Sequence, residues 1–183
     1  QTSCVKRFDV WLSLSWIKIS DAAEAAYKIH TDRKAASEEE KKRDKADDES
    51  VYVTFDLQQI MNVPRLATGS SFYKRKLTLF NLCFHVTMPD KSTHGFCYPW
   101  TEVDGQRGGN EIASCLHHFL TTNPLVIRRN KIIFWSDGCV GQNKNRMVVA
   151  ALLSAISSRQ PAINDEVIYA IKYFETGHSM MEA

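Results

Sequence analysis

Two short apolar runs in this chain each end in an aspartate. Val51-Tyr52-Val53-Thr54-Phe55 leads into Asp56, and Ile132-Ile133-Phe134-Trp135-Ser136 leads into Asp137. Runs of this length, rich in β-branched and aromatic residues, predict buried strands over 51–57 and 131–137. A carboxylate at the mouth of a buried strand is an expensive placement, because a desolvated charge needs a partner. Two such carboxylates converging on one point are a way for a fold to hold a divalent cation for phosphodiester chemistry. The bland alternative for each is a strand-end Asp that caps a turn or a helix.

The remaining pattern surrounds these two runs with further elements. Lys76 to Met88 alternates as a long strand, Pro89-Asp90-Lys91-Ser92 is turn chemistry, and Gly95 to Glu102 is the returning strand, so 76–102 predicts a hairpin. Residues 58–71, with Pro64 and Gly69, read as a loop. Gly108-Gly109-Asn110 precedes a helix over 111–121 that turns Ile112, Cys115, Leu116 and Phe119 to one side. After Asp137 a turn rich in Gly and Asn (Gly138, Gly141, Gln142, Asn143, Asn145) opens a helix over 145–158 with Met147, Val148, Ala151, Leu152 and Ala155 or Ile156 inward. Glu166 to Phe174 predicts the last strand. The order β-β-β-α-β-α-β implies a mixed five-stranded sheet flanked by helices, because helical crossovers join parallel strands.

The first 50 residues have a different texture. Residues 1–19 hold an apolar patch of mixed periodicity, readable as a strand or a short helix. Ser20-Asp21 with Glu24 resembles a capping box, and the stretch to Asp48 is rich in Ala, Glu, Lys and Arg without Gly or Pro. Its second half, 38–49, has almost no apolar residue and predicts a solvated helix or a linker. The expected organisation is an arm over 1–50 and an α/β core over 51–183.

Composition narrows the class only a little. The chain has 183 residues, 44% of them hydrophobic, and a formal charge of +2, so a real core is expected and bulk charge points to no partner. Five cysteines without a C-x-x-C pair argue against a disulfide framework and for a reducing intracellular compartment. No apolar run approaches a membrane span and no signal-peptide pattern is present. A start at Gln1 and a stop at Ala183, just after Gly177-His178, read as a piece of a longer protein.

Further polar residues are candidates with two readings each. Glu111 opens a helix, either as a third carboxylate or as an acid favoured by the helix dipole. Gln142, Asn143, Lys144 and Asn145 either touch a nucleic-acid backbone or shape the turn. Lys74, Arg75 and Lys76, beside Tyr73 and joined by Arg65, are a basic cluster for phosphates or a Lys-protected strand edge. His178 is a phosphate or metal neighbour, or a turn residue. Cys83, His85 and Cys97 are expected near one another across the hairpin, but with Cys115, His117 and His118 they lack zinc-finger spacing.

Several of these segments together resemble one family. They are Phe55-Asp56-Leu57-Gln58, Phe72 to Leu77, Gly105 to Ile112, Ser136 to Asn145 and Gly177 to Glu182. Over about residues 20–183 the chain is similar to transposase-derived proteins with a ribonuclease-H-like domain, widespread as uncharacterised open reading frames in arthropods and cnidarians. The resemblance implies a DDE/D-type nuclease or strand-transferase core acting on DNA in the nucleus, with Asp56 and Asp137 as the first two ligands of paired Mg²⁺ or Mn²⁺ ions. It implies a third acid after the last strand, either Glu182 or a residue beyond Ala183. It implies a homo-oligomer at work and neither a membrane nor a small-molecule cofactor. Two alternatives stay open: a decayed or domesticated module that binds DNA or protein without chemistry, and a metal-dependent phosphodiesterase acting on RNA.

Overall fold

The computed structural model describes residues 21–69, 74–159 and 166–175. The elements run α1 (Asp21–Ala46), β1 (Val51–Leu57), β2 (Met61–Val63), β3 (Leu77–Thr87), β4 (Thr93–Thr101), α2 (Gly109–Thr122), β5 (Lys131–Ser136), α3 (Arg146–Ser157) and β6 (Ile168–Tyr173). They form a mixed α/β fold with one six-stranded sheet. The expectation of five strands is corrected by β2, which pairs antiparallel with the first residues of β3. Three residues before Pro64 are too short to show a period, so this strand exists through its pairing alone. The apolar patch at 1–19 lies outside the described residues.

Pairing along the sheet runs β4-β3-β1-β5-β6. β3 is antiparallel to both β4 and β1, whereas β1, β5 and β6 are mutually parallel. Strand alternation sorts the side chains onto two faces. Val51, Val53, Phe55 and Leu57 face α2 and α3, joined from β5 by Ile132 and Phe134. Ile112, Leu116, Phe119 and Leu120 of α2 and Val148, Leu152 and Ala155 of α3 close this core, with Phe119 stacked on Phe84 at 4.4 Å between ring centroids. Each such side chain removed from water stabilises the fold by about 1.5–3 kcal/mol.

The β3–β4 hairpin has a register that matters below. Met88 N donates to Ser92 O at one end and Glu102 N donates to Thr78 O at the other. In an antiparallel ladder, directly bonded pairs alternate with non-bonded ones. Pairs an odd number of residues from both anchors are therefore non-bonded, including Asn81–Pro99 and Cys83–Cys97. Pro99 is tolerated inside β4 because its missing N–H falls where the ladder needs none. The turn is closed by Asp90, whose Oδ1 accepts from Ser92 N at 2.9 Å, and by Lys91 in the left-handed region at φ 65°.

The second sheet face carries a smaller cluster of Tyr52, Ile133, Trp135 and Phe174. α1 is tied to this side without burying any residue of its own. Asp44 accepts from Trp135 Nε1 at 2.8 Å and pairs with Lys172, which also meets Glu40 at 2.7 Å. Lys41 sits 5.1 Å above the Phe174 ring, and Asp47 pairs with Lys131 at 2.8 Å. Lys91 Nζ donates to Ala46 O at 3.0 Å, which satisfies an open carbonyl at the helix end. Residues 38–49 thus remain unburied as their composition requires, yet charged contacts tether them to the sheet rather than leaving a free linker. Among the described residues, no helix is long and apolar enough to cross a membrane.

Candidate functional site

Strand direction decides which loops can meet. β4 runs opposite to β3, and β3 opposite to β1, so β1, β4, β5 and β6 all point the same way. Their C-terminal ends bring together Asp56, the 102–108 connection, the turn after Asp137, and Phe174-Glu175. Ligands in α/β sheets gather at such an edge.

Asp56 and Asp137 are brought together here. The parallel register aligns Tyr52 with Ile133 and Thr54 with Trp135. Two residues further along both chains stand Asp56 and Asp137, on the face that carries Trp135 and away from α2 and α3. Burial raises the Asp56 carboxyl above its ordinary range, the Asp137 charge raises it further, and the Arg107 guanidinium pulls it part of the way back. Asp56 thus carries an unfavourable charge that the Arg107 guanidinium only partly offsets.

Asp137 has a built support. It accepts a hydrogen bond from Asn143 Nδ2, and Asn143 is fully buried. The Asn143 backbone is fixed by donating to Cys139 O at 2.8 Å and by accepting from Tyr173 Oη at 3.2 Å. Asn143 Oδ1 has no hydrogen-bond partner among the described residues. The expectation that Asn143 reaches a nucleic acid is therefore corrected: its side chain lies inside, spent on Asp137. Asn145 takes the capping role that the turn offered, accepting from Met147 N at 2.9 Å and Val148 N at 3.2 Å. Gly109 makes room for it, since a Cβ there would lie 2.7 Å from Asn145 Nδ2.

Glu111 is the principal correction. It stands in the first turn of α2, and its Oε1 accepts from Gln106 N at 3.0 Å. Its carboxylate ties down the loop before its own helix, a variant of the capping box. Among the described residues no three His, Cys, Asp or Glu side chains form a group able to hold a metal ion, so Glu111 does not join the aspartates. Cys83 and Cys97 do meet across the hairpin, with Sγ atoms 3.4 Å apart, without forming such a group of three among the described residues.

The cations are distributed differently from the basic run in the sequence. Arg75 pairs with Glu102 at 3.0 Å beside exposed Lys74 and half-buried Lys76. Lys144 is exposed, with its Nζ 5.5 Å above the Tyr173 ring near the Asp137 turn. Gln142 is half-buried and its carbonyl accepts from Asn145 Nδ2 at 2.8 Å. Arg107 is the functional candidate that sequence reasoning passed over: its position inside the Gly105–Ile112 segment is visible, but its approach to Asp56 depends on β4 and β1, on either side of β3, ending at the same edge of the sheet. Tyr73, His178 and Glu182 lie outside the described residues.

The donor set fits a hard divalent cation. Two half-buried carboxylates, one held by an amide, are oxygen ligands of the kind Mg²⁺ and Mn²⁺ prefer, and among the described residues no third His, Cys, Asp or Glu joins them. No protein-family model matches the chain, and no curated protein sequence is significantly similar to it.

Proposed function

We propose that this chain is the core of a transposase-derived, metal-dependent nuclease or strand transferase acting on DNA phosphodiesters. The observation that carries the reading is the convergence of Asp56 and Asp137 on one face of adjoining parallel strands, where the Asp137 charge adds to burial in raising the Asp56 carboxyl. The strand sequence β4-β3-β1-β5-β6, antiparallel and then parallel, supports a ribonuclease-H-like assignment, as does an acid on the first strand and another at the end of the fourth core strand.

In this reading Asp56 and Asp137 would hold Mg²⁺ or Mn²⁺, with Glu182, which lies outside the described residues, as the third acid that the resemblance implies. Bound there, such an ion would supply Lewis-acid stabilisation and lower the pKa of a ligated water. Asn143 keeps the Asp137 carboxylate in one orientation. Arg107 and Lys144 flank the pair with positive charge and hold a phosphate in place.

The test is nicking of labelled DNA by the protein under Mg²⁺ or Mn²⁺ titration, with Asp56→Asn and Asp137→Asn as controls. Either substitution is expected to lower the rate by at least about 10²-fold, since losing a charge-stabilising group costs roughly 3 kcal/mol of barrier. Equal activity in wild type and both variants removes the metal-site reading. Retained DNA binding without any nicking points instead to a non-catalytic binding module.

A further inference from the structure

We propose that Cys83 and Cys97 are a redox-active dithiol, oxidised by hydrogen peroxide to a reversible cross-strand disulfide. This goes beyond the nuclease reading and does not depend on it. Cys83 on β3 and Cys97 on β4 are register partners. The anchors at Met88–Ser92 and Thr78–Glu102 make theirs a non-hydrogen-bonded pair. Such pairs bring Cα atoms to about 4.5 Å and side chains closest together. That spacing lies at the short end of the roughly 4.4–6.8 Å that a disulfide spans. The Sγ atoms already stand 3.4 Å apart on the same sheet face. Rotation about the side chains then suffices to bond them, with both strands left in register.

The two thiols differ in access, which gives them different roles. Cys97 is exposed on an outer strand, so packing does not account for a cysteine there. It is the sulfur a peroxide reaches first. Cys83 is buried, so a peroxide in solution does not reach it directly, and it serves as the second, resolving thiol.

In the first step the Cys97 thiolate attacks one peroxide oxygen; the O–O bond breaks, Cys97 becomes a sulfenic acid, and hydroxide leaves to take up a proton as water. In the second, Cys83 sulfur attacks Cys97 sulfur; the S–O bond breaks, and the sulfenic hydroxyl departs with the Cys83 proton as a second water. Two thiols lose two electrons, and one peroxide becomes two waters. A dithiol reverses the change by exchange.

The experiment is thiol alkylation and non-reducing peptide mapping of the full chain after stoichiometric hydrogen peroxide. The expected product is a single Cys83–Cys97 linked peptide, lighter by two hydrogens, restored to two alkylatable thiols by dithiothreitol. Cys83→Ala is expected to accumulate a sulfenic acid at Cys97 that a cyclic dione traps, and Cys97→Ser to leave Cys83 reduced. If either variant fails to fold, the wild-type map alone decides. Cys97 still free at a peroxide dose that oxidises exposed Cys139, or Cys97 linked to any other cysteine, overturns the proposal.

Discussion

Asp56 sits near the end of β1 with its carboxyl raised by burial first and by the charge of Asp137 second. A raised acid binds more protons folded than unfolded between the ordinary value of 3.8 and its folded value. Its stabilising contribution is complete below 3.8 and is lost as pH rises through the folded value. Asp56→Asn, in the presence of a chelator, is therefore expected to be at least as stable as wild type at neutral pH. That advantage should shrink toward pH 3.8, and urea melts at both pH values check it. Asn143 acts in the opposite sense. Asn143→Ala removes the donor to Asp137 and is expected to destabilise the fold by about 1–3 kcal/mol and to weaken divalent-cation binding in calorimetry. Unchanged cation affinity would separate Asn143 from the site. A reader of the sequence could see that 142–145 is rich in amides, but not that Asn143 turns inward while Asn145 caps a helix. The difference lies in the fold of the turn, where Gln142, Asn143 and Lys144 all donate to Cys139 O.

The elements were largely legible wherever an apolar period ran for six residues or more. β1, the β3–β4 hairpin, β5 and both core helices lie within one or two residues of their expected bounds. α1 was legible from its capping box and composition, though with no apolar face its docking was not, and β2 was missed because it is too short for a period. α1 is fixed by ion pairs and one indole hydrogen bond instead, and these respond to salt. Lys172→Ala breaks contacts to both Glu40 and Asp44 and is expected to cost about 1 kcal/mol while raising amide exchange in α1 ahead of β1 and β5. Acid should loosen the same element at its far end. Asp47 is held down to about 2 chiefly by its hydrogen bond from Lys131, so its contribution is present above 3.8 and lost as pH falls toward about 2. Exchange rates in the last turn of α1, followed down that range, report the loss.

At the scale of the molecule, the proposed metal centre ties folding to a ligand. A cation that binds the folded chain alone stabilises it by about 1.4 kcal/mol at ten times its Kd. For a chain of this size that is a rise of roughly 3–6 °C in Tm. Mg²⁺ or Mn²⁺ is expected to produce it in wild type and not in Asp56→Asn or Asp137→Asn, as differential scanning fluorimetry would show. The sequence by itself determined the kinds of element, the two buried faces of the strands, and the placement of an aspartate at each of two strand ends, because periodicity and burial are local properties of the chain. Only the tertiary structure decided that those aspartates are neighbours, that Glu111 serves its own helix, that Arg107 approaches Asp56, and that Cys83 faces Cys97. Each of those depends on strand order and register, which arise from pairing between segments far apart in the chain and leave no mark on either segment alone.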